Sequence, residues 1–440
     1  MTAAGEQVAP AATTGRYRMR ARTLFSLAAG RSSFRLAQLA ATVILLPVWG
    51  ERRYGVYAAA VAAFTWLIPL LQSGPEKTVL KLLPRAPRTG PQIVEALVWF
   101  LWCLLIAAPA ALVVTLASGE RGRTAIYVGV AGVAAGSGAT LLLAGLHRVT
   151  GRPWLDARSA FALAILQVSL VGFAIAGLRP LGYVVCLMSG QTTVNLVLLV
   201  KLGRPSLRIR HRPAFLRRVL WTVVLMGLPE VGLYLATSVV FAIMAASHWS
   251  FQVGQLFVVL IVWTAGLTLV MYALRVYAPL ASIRLLGRAG AAGRSRAAQL
   301  CRWIVAIDML WGLAFACIVW RFDVLAVTRT NHALWVCSVL YVTRTPGVLL
   351  TILAGYLVEN SDARSIRITG TAAGISLAVT ASTGGLLIPA LGGFGVFGAL
   401  VLAEMAGAGA TIFMIGRHRR LSTIRGSGRY RREVPSVTGD

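Results

Sequence analysis

The chain has 440 residues, 57% of them hydrophobic and only 13% charged, with a mean hydropathy of +0.74, whereas a soluble protein carries about 25% charge. That balance excludes a soluble globular chain, and twelve membrane spans of about 20 residues each would leave only tails and short loops, so no soluble domain is expected. The net charge of +29, from 43 basic and 14 acidic residues, would suggest nucleic acid in a soluble protein, but in a membrane protein it first raises the question of sidedness.

A polar, basic segment, 1–22, precedes the first apolar stretch, which has no small-residue cleavage site after it and is expected to be retained. Spans are expected near 24–49, 54–73, 92–117, 124–146, 159–178, 181–200, 219–246, 249–274, 303–320, 333–357, 368–389 and 394–416. They must be helices, because lipid leaves no partner for an unpaired backbone group and these runs are too continuously apolar for alternating barrel strands. The fold class is therefore an all-α polytopic membrane protein of about twelve transmembrane helices.

Placing the basic residues on alternate sides puts 33 of the 43 on the side of the N-terminus, seven on the other side, and three, Arg31, Arg35 and Arg344, within spans. By the positive-inside rule both termini are cytoplasmic, which requires an even number of spans. Most of the charge is thus topology, with affinity for membrane lipid, and nucleic acid is not an expected partner. The most basic loop, Lys201 to Arg218, follows six spans and precedes six. The expected organisation is a cytoplasmic tail 1–22, an N-terminal six-helix lobe 23–201, a basic connector 202–218, a C-terminal six-helix lobe 219–416 and a second cytoplasmic tail 417–440. Two related halves are also suggested by letters: Gly182-Tyr183-Val184 with Gln191 opens the sixth span, and Gly395-Val396-Phe397 with Glu404 opens the twelfth, 213 positions later throughout. Equal orientation of the halves makes this a parallel repeat.

Short glycine-based motifs carry a family resemblance. Leu46-Pro47 through Gly50-Glu51-Arg52-Arg53-Tyr54-Gly55-Val56-Tyr57, the run Leu71-Gln72-Ser73-Gly74 through Leu83-Pro84-Arg85, and Leu387-Ile388-Pro389 through Gly392-Gly393-Phe394-Gly395 with Glu404 are similar to the polysaccharide-exporter and oligosaccharide-lipid flippase branch of the multidrug/oligosaccharidyl-lipid/polysaccharide (MOP) superfamily. The eighth span has Gly254-Gln255-Leu256-Phe257 where that family has G-x-Y-x-x-A. The resemblance implies a two-lobed transporter alternating between inward- and outward-open forms, with its cavity lined by spans one, two, seven and eight. It implies a plasma-membrane location, a polyprenyl-diphosphate-linked sugar as substrate, H+ or Na+ as coupling ion, and proteins of polysaccharide assembly as partners.

Ionisable residues inside the membrane are the candidate functional groups. Arg31 and Arg35 share one face of the first span, where they either hold a diphosphate through bidentate hydrogen bonds or snorkel to the interface. Glu230 follows Pro229, which frees a backbone carbonyl, and together they suit a cation or proton. Asp308 and Glu404 complete a set of deep acids, with Arg344 as coupling residue or structural partner of either acid. The deep acids thus all fall in the second half, with Glu95 as the first half's nearest acid. A cationic N-terminal lobe for an anionic headgroup and an ion-coupling C-terminal lobe are expected. Gln252 and Gln255 are candidate substrate contacts, while Gln167, Gln191 and Asn195 suit hydrogen bonds between helices.

No cofactor is expected, since the chain lacks G-x-x-x-x-G-K-[ST], and neither its five scattered cysteines nor its histidines stand at metal spacing. An enzyme is not expected, because paired aspartates of the DxD or DDxxD kind are missing. Two other readings stand beside the flippase: a cation-coupled drug or secondary-metabolite exporter of the same superfamily, which an acid in the first or second span would favour, and a non-transporting scaffold of envelope polysaccharide assembly.

Overall fold

The computed structural model describes residues 21–82, 90–203, 213–254 and 366–429, with a few single positions between 256 and 310. These residues form α1 (Ala21–Phe64), α2 (Leu67–Leu82), α3 (Gly90–Ala117), α4 (Arg123–Val149), α5 (Trp154–Ile175), α6 (Pro180–Leu202), α7 (Pro213–Ala246), a 3-10 turn (Ser250–Gln252), α8 (Ile366–Leu391) and α9 (Gly393–Arg429). Among the described residues eight helical stretches are long and apolar enough to cross a membrane, the first of them, Ala29–Val79, holding both of the first two expected spans. The tenth expected span, most of the eighth and ninth, and Gln255, Asp308 and Arg344 lie outside the described residues.

The helices are apolar on both faces, as lipid requires. Leu101, Leu142 and Leu143 are fully buried, while Ile106, Val113, Ile165 and Phe173 face outward. Between the first two spans the reversal is made at one residue: Gly50, three positions after Pro47, has φ +73°, a conformation glycine alone adopts without steric cost. The Trp49 indole N–H donates to the Leu178 carbonyl at 3.0 Å and ties this turn to the α5–α6 connection.

Several helices run beyond the expected spans. The second span, expected to end at residue 73, continues to Leu82 through Pro75, Glu76 and Lys77, because its polar side chains find buried partners rather than water. The helix of the seventh span begins at Pro213 and that of the twelfth reaches Arg429, taking up part of the expected C-terminal tail.

α1 to α6 pack on one another, and α7, α8 and α9 form a second group, joined to the first along α1, α2 and α7. Between α4 and α6, the Thr140 hydroxyl donates to Asn195 Oδ1 at 2.7 Å, Asn195 Nδ2 to the Gly136 carbonyl at 2.9 Å, and Gln191 Nε2 to Ser137 Oγ at 2.7 Å. Each such bond contributes about 0.6 kcal/mol inside a membrane, so the set aligns the helices more than it stabilises them. Of the repeat positions, Tyr183 and Val184, and 213 residues later Val396 and Phe397, are all buried, whereas Gln191 is buried and Glu404 half-buried.

Candidate functional site

The expected asymmetry of charge between the lobes does not hold. The first lobe contains two of the most buried acids among the described residues, Glu76 on α2 and Asp156 on α5, each about 1% exposed or less. They join two buried arginines in an alternating series across four helices. Arg31 Nη2 lies 2.5 Å from Asp156 Oδ1, and Arg148 Nε lies 3.4 Å from Asp156 Oδ2. Arg148 Nη2 also pairs with Glu76 Oε1, whose other oxygen accepts from Gln72 Nε2 at 2.8 Å.

Local structure explains why these charges meet. Asp156 stands in the first turn of α5, where the helix dipole favours a carboxylate. α1 approaches α5 at Gly30, where a Cβ would lie 2.7 Å from the Ala157 carbonyl oxygen, and α4 approaches Glu76 at Gly145, where a Cβ would lie 3.0 Å from Glu76 Cγ. The glycines let the backbones come close enough for short ion pairs that water does not reach.

A fourth pair joins the two groups of helices. Lys77 Nζ on α2 is 3.1 Å from Glu230 Oε1 on α7. The second span runs antiparallel to α7, since Ser238 donates to the Ala62 carbonyl while Gly74 faces Val223. A Cβ vector leans toward its own helix N-terminus, so on antiparallel helices the Lys77 and Glu230 side chains lean toward each other. Beside them the helices cross with almost nothing between: a Cβ on Gly74 would lie 2.3 Å from the Val223 carbonyl oxygen, and one on Gly227 would lie 3.2 Å from Gly74 Cα. Three basic and three acidic side chains are thus brought together, so the assembly adds no net charge when all are ionised.

At the far end the same two groups of helices meet through apolar contact. Trp49, Tyr54, Tyr57 and Tyr183 of the first six spans pack with Phe241, Met244, Val253 and Phe257. Trp49 makes edge contacts with Tyr57 and Tyr183 at centroid distances of 5.4 and 5.3 Å. Ser238 Oγ donates to the Ala62 carbonyl at 2.6 Å, and Gly254 brings its backbone against the Tyr54 ring.

The sequence candidates fall in different surroundings. Arg31 pairs with Asp156, and Arg35 is half-buried and donates to Gln38 Oε1 in its own helix at 3.0 Å. Glu230, expected to suit a cation or proton, is met by Lys77. Gln252 is buried and its Oε1 accepts from the Gly393 N–H at 3.2 Å, next to Trp249, whose indole donates to the Pro389 carbonyl at 3.2 Å. Glu404 lies half-buried on α9. Sequence reading missed Glu76, Lys77, Arg148 and Asp156. Their signal was weak: each stands at a span end, where the positive-inside rule reports side but not depth.

No protein-family model matches the chain, and neither does the sequence of any curated protein. Solved structures do. A MOP superfamily transporter from Pyrococcus furiosus, described as having a binding pocket of reversed polarity that suggests a different function, aligns at TM-score 0.59 and 14% identity over 90% of this chain and 94% of its own. A multidrug resistance MATE family transporter of the MOP superfamily aligns in its outward-facing conformation at TM-score 0.55 and 15% identity, over 92% and 96% of the two chains. An inward-facing conformation of such a transporter aligns at TM-score 0.52 and 15% identity, again over 92% and 96%. The chain therefore has the all-α polytopic fold of these transporters, of about twelve transmembrane helices in two lobes.

Proposed function

We propose that this protein is a secondary transporter of the plasma membrane, with both termini cytoplasmic, that moves a lipid-linked oligosaccharide or polysaccharide precursor across the bilayer by alternating access. The observation that carries the transport reading is the pair of half-buried Lys77 with buried Glu230 between α2 and α7, beside a glycine crossing. On this reading the ion pair is the charge-dependent part of the contact between the lobes. Protonation of Glu230, or capture of Na+ by it, would release Lys77 and let the basic end open, while return of the pair would close it. Glu404 and Asp308 are the further acids on which a coupling ion would depend.

The substrate class is supported by the family resemblance and by Arg35. This half-buried cation in the first span suits one face of a diphosphate, with Gln252 and Gln255 as contacts from the opposite lobe. Arg31 serves the same region indirectly, by fixing α1 against α5. A second reading, export of drugs or secondary metabolites, is favoured by two observations. The structural neighbours include proteins named as multidrug transporters, and the extended second span brings an acid, Glu76, into the helix where sequence reading expected none.

Reconstitution into vesicles separates the readings. A fluorescent polyprenyl-diphosphate oligosaccharide is expected to be flipped, with Arg35→Ala and Glu230→Ala abolishing flipping while folded protein remains in the membrane. Dye efflux without flipping would establish the exporter reading instead, and neither activity would favour the scaffold.

A further inference from the structure

We propose that Arg152, Trp154, Arg158 and Lys201 form a binding site for the phosphate headgroup of an anionic phospholipid at the basic end of the bundle, with an acyl chain laid along the outer face of α5. Trp154 opens α5 and is 43% exposed. The Arg158 guanidinium carbon stands 4.6 Å from the centroid of its ring and Lys201 Nζ stands 5.5 Å from it. Arg152 Nη1 donates to the Lys201 carbonyl at 2.9 Å, which joins the α4–α5 connection to the end of α6. Two cations held against one indole repel each other, and a third is tied beside them. Among the described residues no carboxylate lies within ion-pair distance of the three. The acid that lies between Arg152 and Arg158 in sequence, Asp156, is fully buried and engaged by Arg31 and Arg148. A phosphate would relieve this repulsion, and the start of α5 adds the positive end of its dipole.

What distinguishes a lipid from a free anion is the surface that continues from the site. Phe161, Ile165 and Val168 are each more than half exposed and, at spacings of three and four from Trp154 and Arg158, occupy the same face of α5. Val200 of α6 stands next to Lys201 in the chain and is 69% exposed. An amphipathic indole at the water boundary, cations around it and an apolar strip running into the bilayer match the parts of a phospholipid in their order. The inference is independent of the transport reading.

The test uses the full-length protein in mixed micelles with brominated phosphatidylglycerol or brominated phosphatidylcholine. The Trp154 signal is isolated from the chain's 12 tryptophans by subtracting the Trp154→Phe variant. Quenching is expected at a lower lipid fraction with phosphatidylglycerol, and Arg158→Ala with Lys201→Ala is expected to weaken that preference by about fivefold per cation removed. The charge-conserving variant Arg158→Lys with Lys201→Arg keeps the preference, which separates a lost site from a lost fold. Equal quenching by both lipids, or no Trp154 signal with either, overturns the proposal. Displacement of phosphatidylglycerol by inorganic phosphate alone would overturn the assignment to a lipid.

Discussion

The two ends of the contact between the lobes are built on different chemistry. At the basic end the second span meets α7 through the ion pair of Lys77 with Glu230 and through bare backbone at Gly74 and Gly227. At the far end the same helices meet through rings and aliphatic side chains around Trp49, Tyr54, Phe241 and Phe257. A buried ion pair contributes little net stability, because desolvation offsets attraction, yet loss of one partner is costly. Such a contact is close to neutral when both charges are present and strongly unfavourable when one is missing, so a single proton or ion can throw it. An aromatic contact is spread over many atoms, each contributing little, and it has no comparable trigger. On the transport reading proposed above, the basic end would act as the switch and the far end as a passive seal.

The largest effect is expected where charges are most interdependent. Asp156→Ala leaves Arg31 and Arg148 facing each other without the carboxylate between them and should cost about 3–5 kcal/mol, measured as a lower melting temperature in detergent and less folded protein in the membrane. Unchanged melting would mean that the buried series is ornamental. Next, Lys77→Met should cost about 1.5–3 kcal/mol of closure at the basic end, the range for a charge-assisted hydrogen bond. The charge exchange Lys77→Glu with Glu230→Lys should restore much of it. Spin-label distances between α2 and α7 report the opening, and the far-end distances should stay as they were. A comparable displacement at both ends would erase the distinction between switch and seal.

Backbone contact gives a graded comparison within the switch. Gly74→Ala places a methyl 2.3 Å from the Val223 carbonyl oxygen, whereas Gly227→Ala places one 3.2 Å from Gly74 Cα. The first should hold the basic end apart, at about 1–3 kcal/mol for overpacking, while the second needs only a shift of a few tenths of an ångström. The same spin-label distances should lengthen for Gly74→Ala and barely move for Gly227→Ala.

How much of this was legible in the sequence divides along the same lines. The described spans were readable because a run of about 20 apolar residues is a local property, as were Arg31 and Glu230, which interrupt such runs. Gln191 and Asn195, expected to bond between helices, do so. The ion-pair partners were not readable. Arg148 and Glu76 are 72 residues apart, and each sits where a span meets its loop. A charge there looks solvated until a neighbouring helix is known to cover it. The expectation that deep acids belong to the second half failed for that reason: Glu76 and Asp156 lie outside the expected spans, and their depth depends on close approaches at Gly145 and Gly30 that no window of sequence contains.

The smallest expected effect tests the seal. Ser238 Oγ donates to the Ala62 carbonyl at 2.6 Å and also approaches the Tyr234 carbonyl of its own helix at 3.1 Å, so it bridges the lobes at a polar contact beside the aromatic cluster. Hydrogen bonds between membrane helices average about 0.6 kcal/mol, because the separated helices find other partners, and Ser238 keeps one such partner within its own helix. Ser238→Ala should therefore shift the far-end equilibrium by less than about threefold, a change set by that small free energy, and transport should be nearly that of the parent protein. The ring packing would then be what holds the far end, with the hydroxyl only setting register. If Ser238→Ala instead opened the far end as fully as Lys77→Met opens the basic end, that end too would hinge on a single polar contact, and both would be switches.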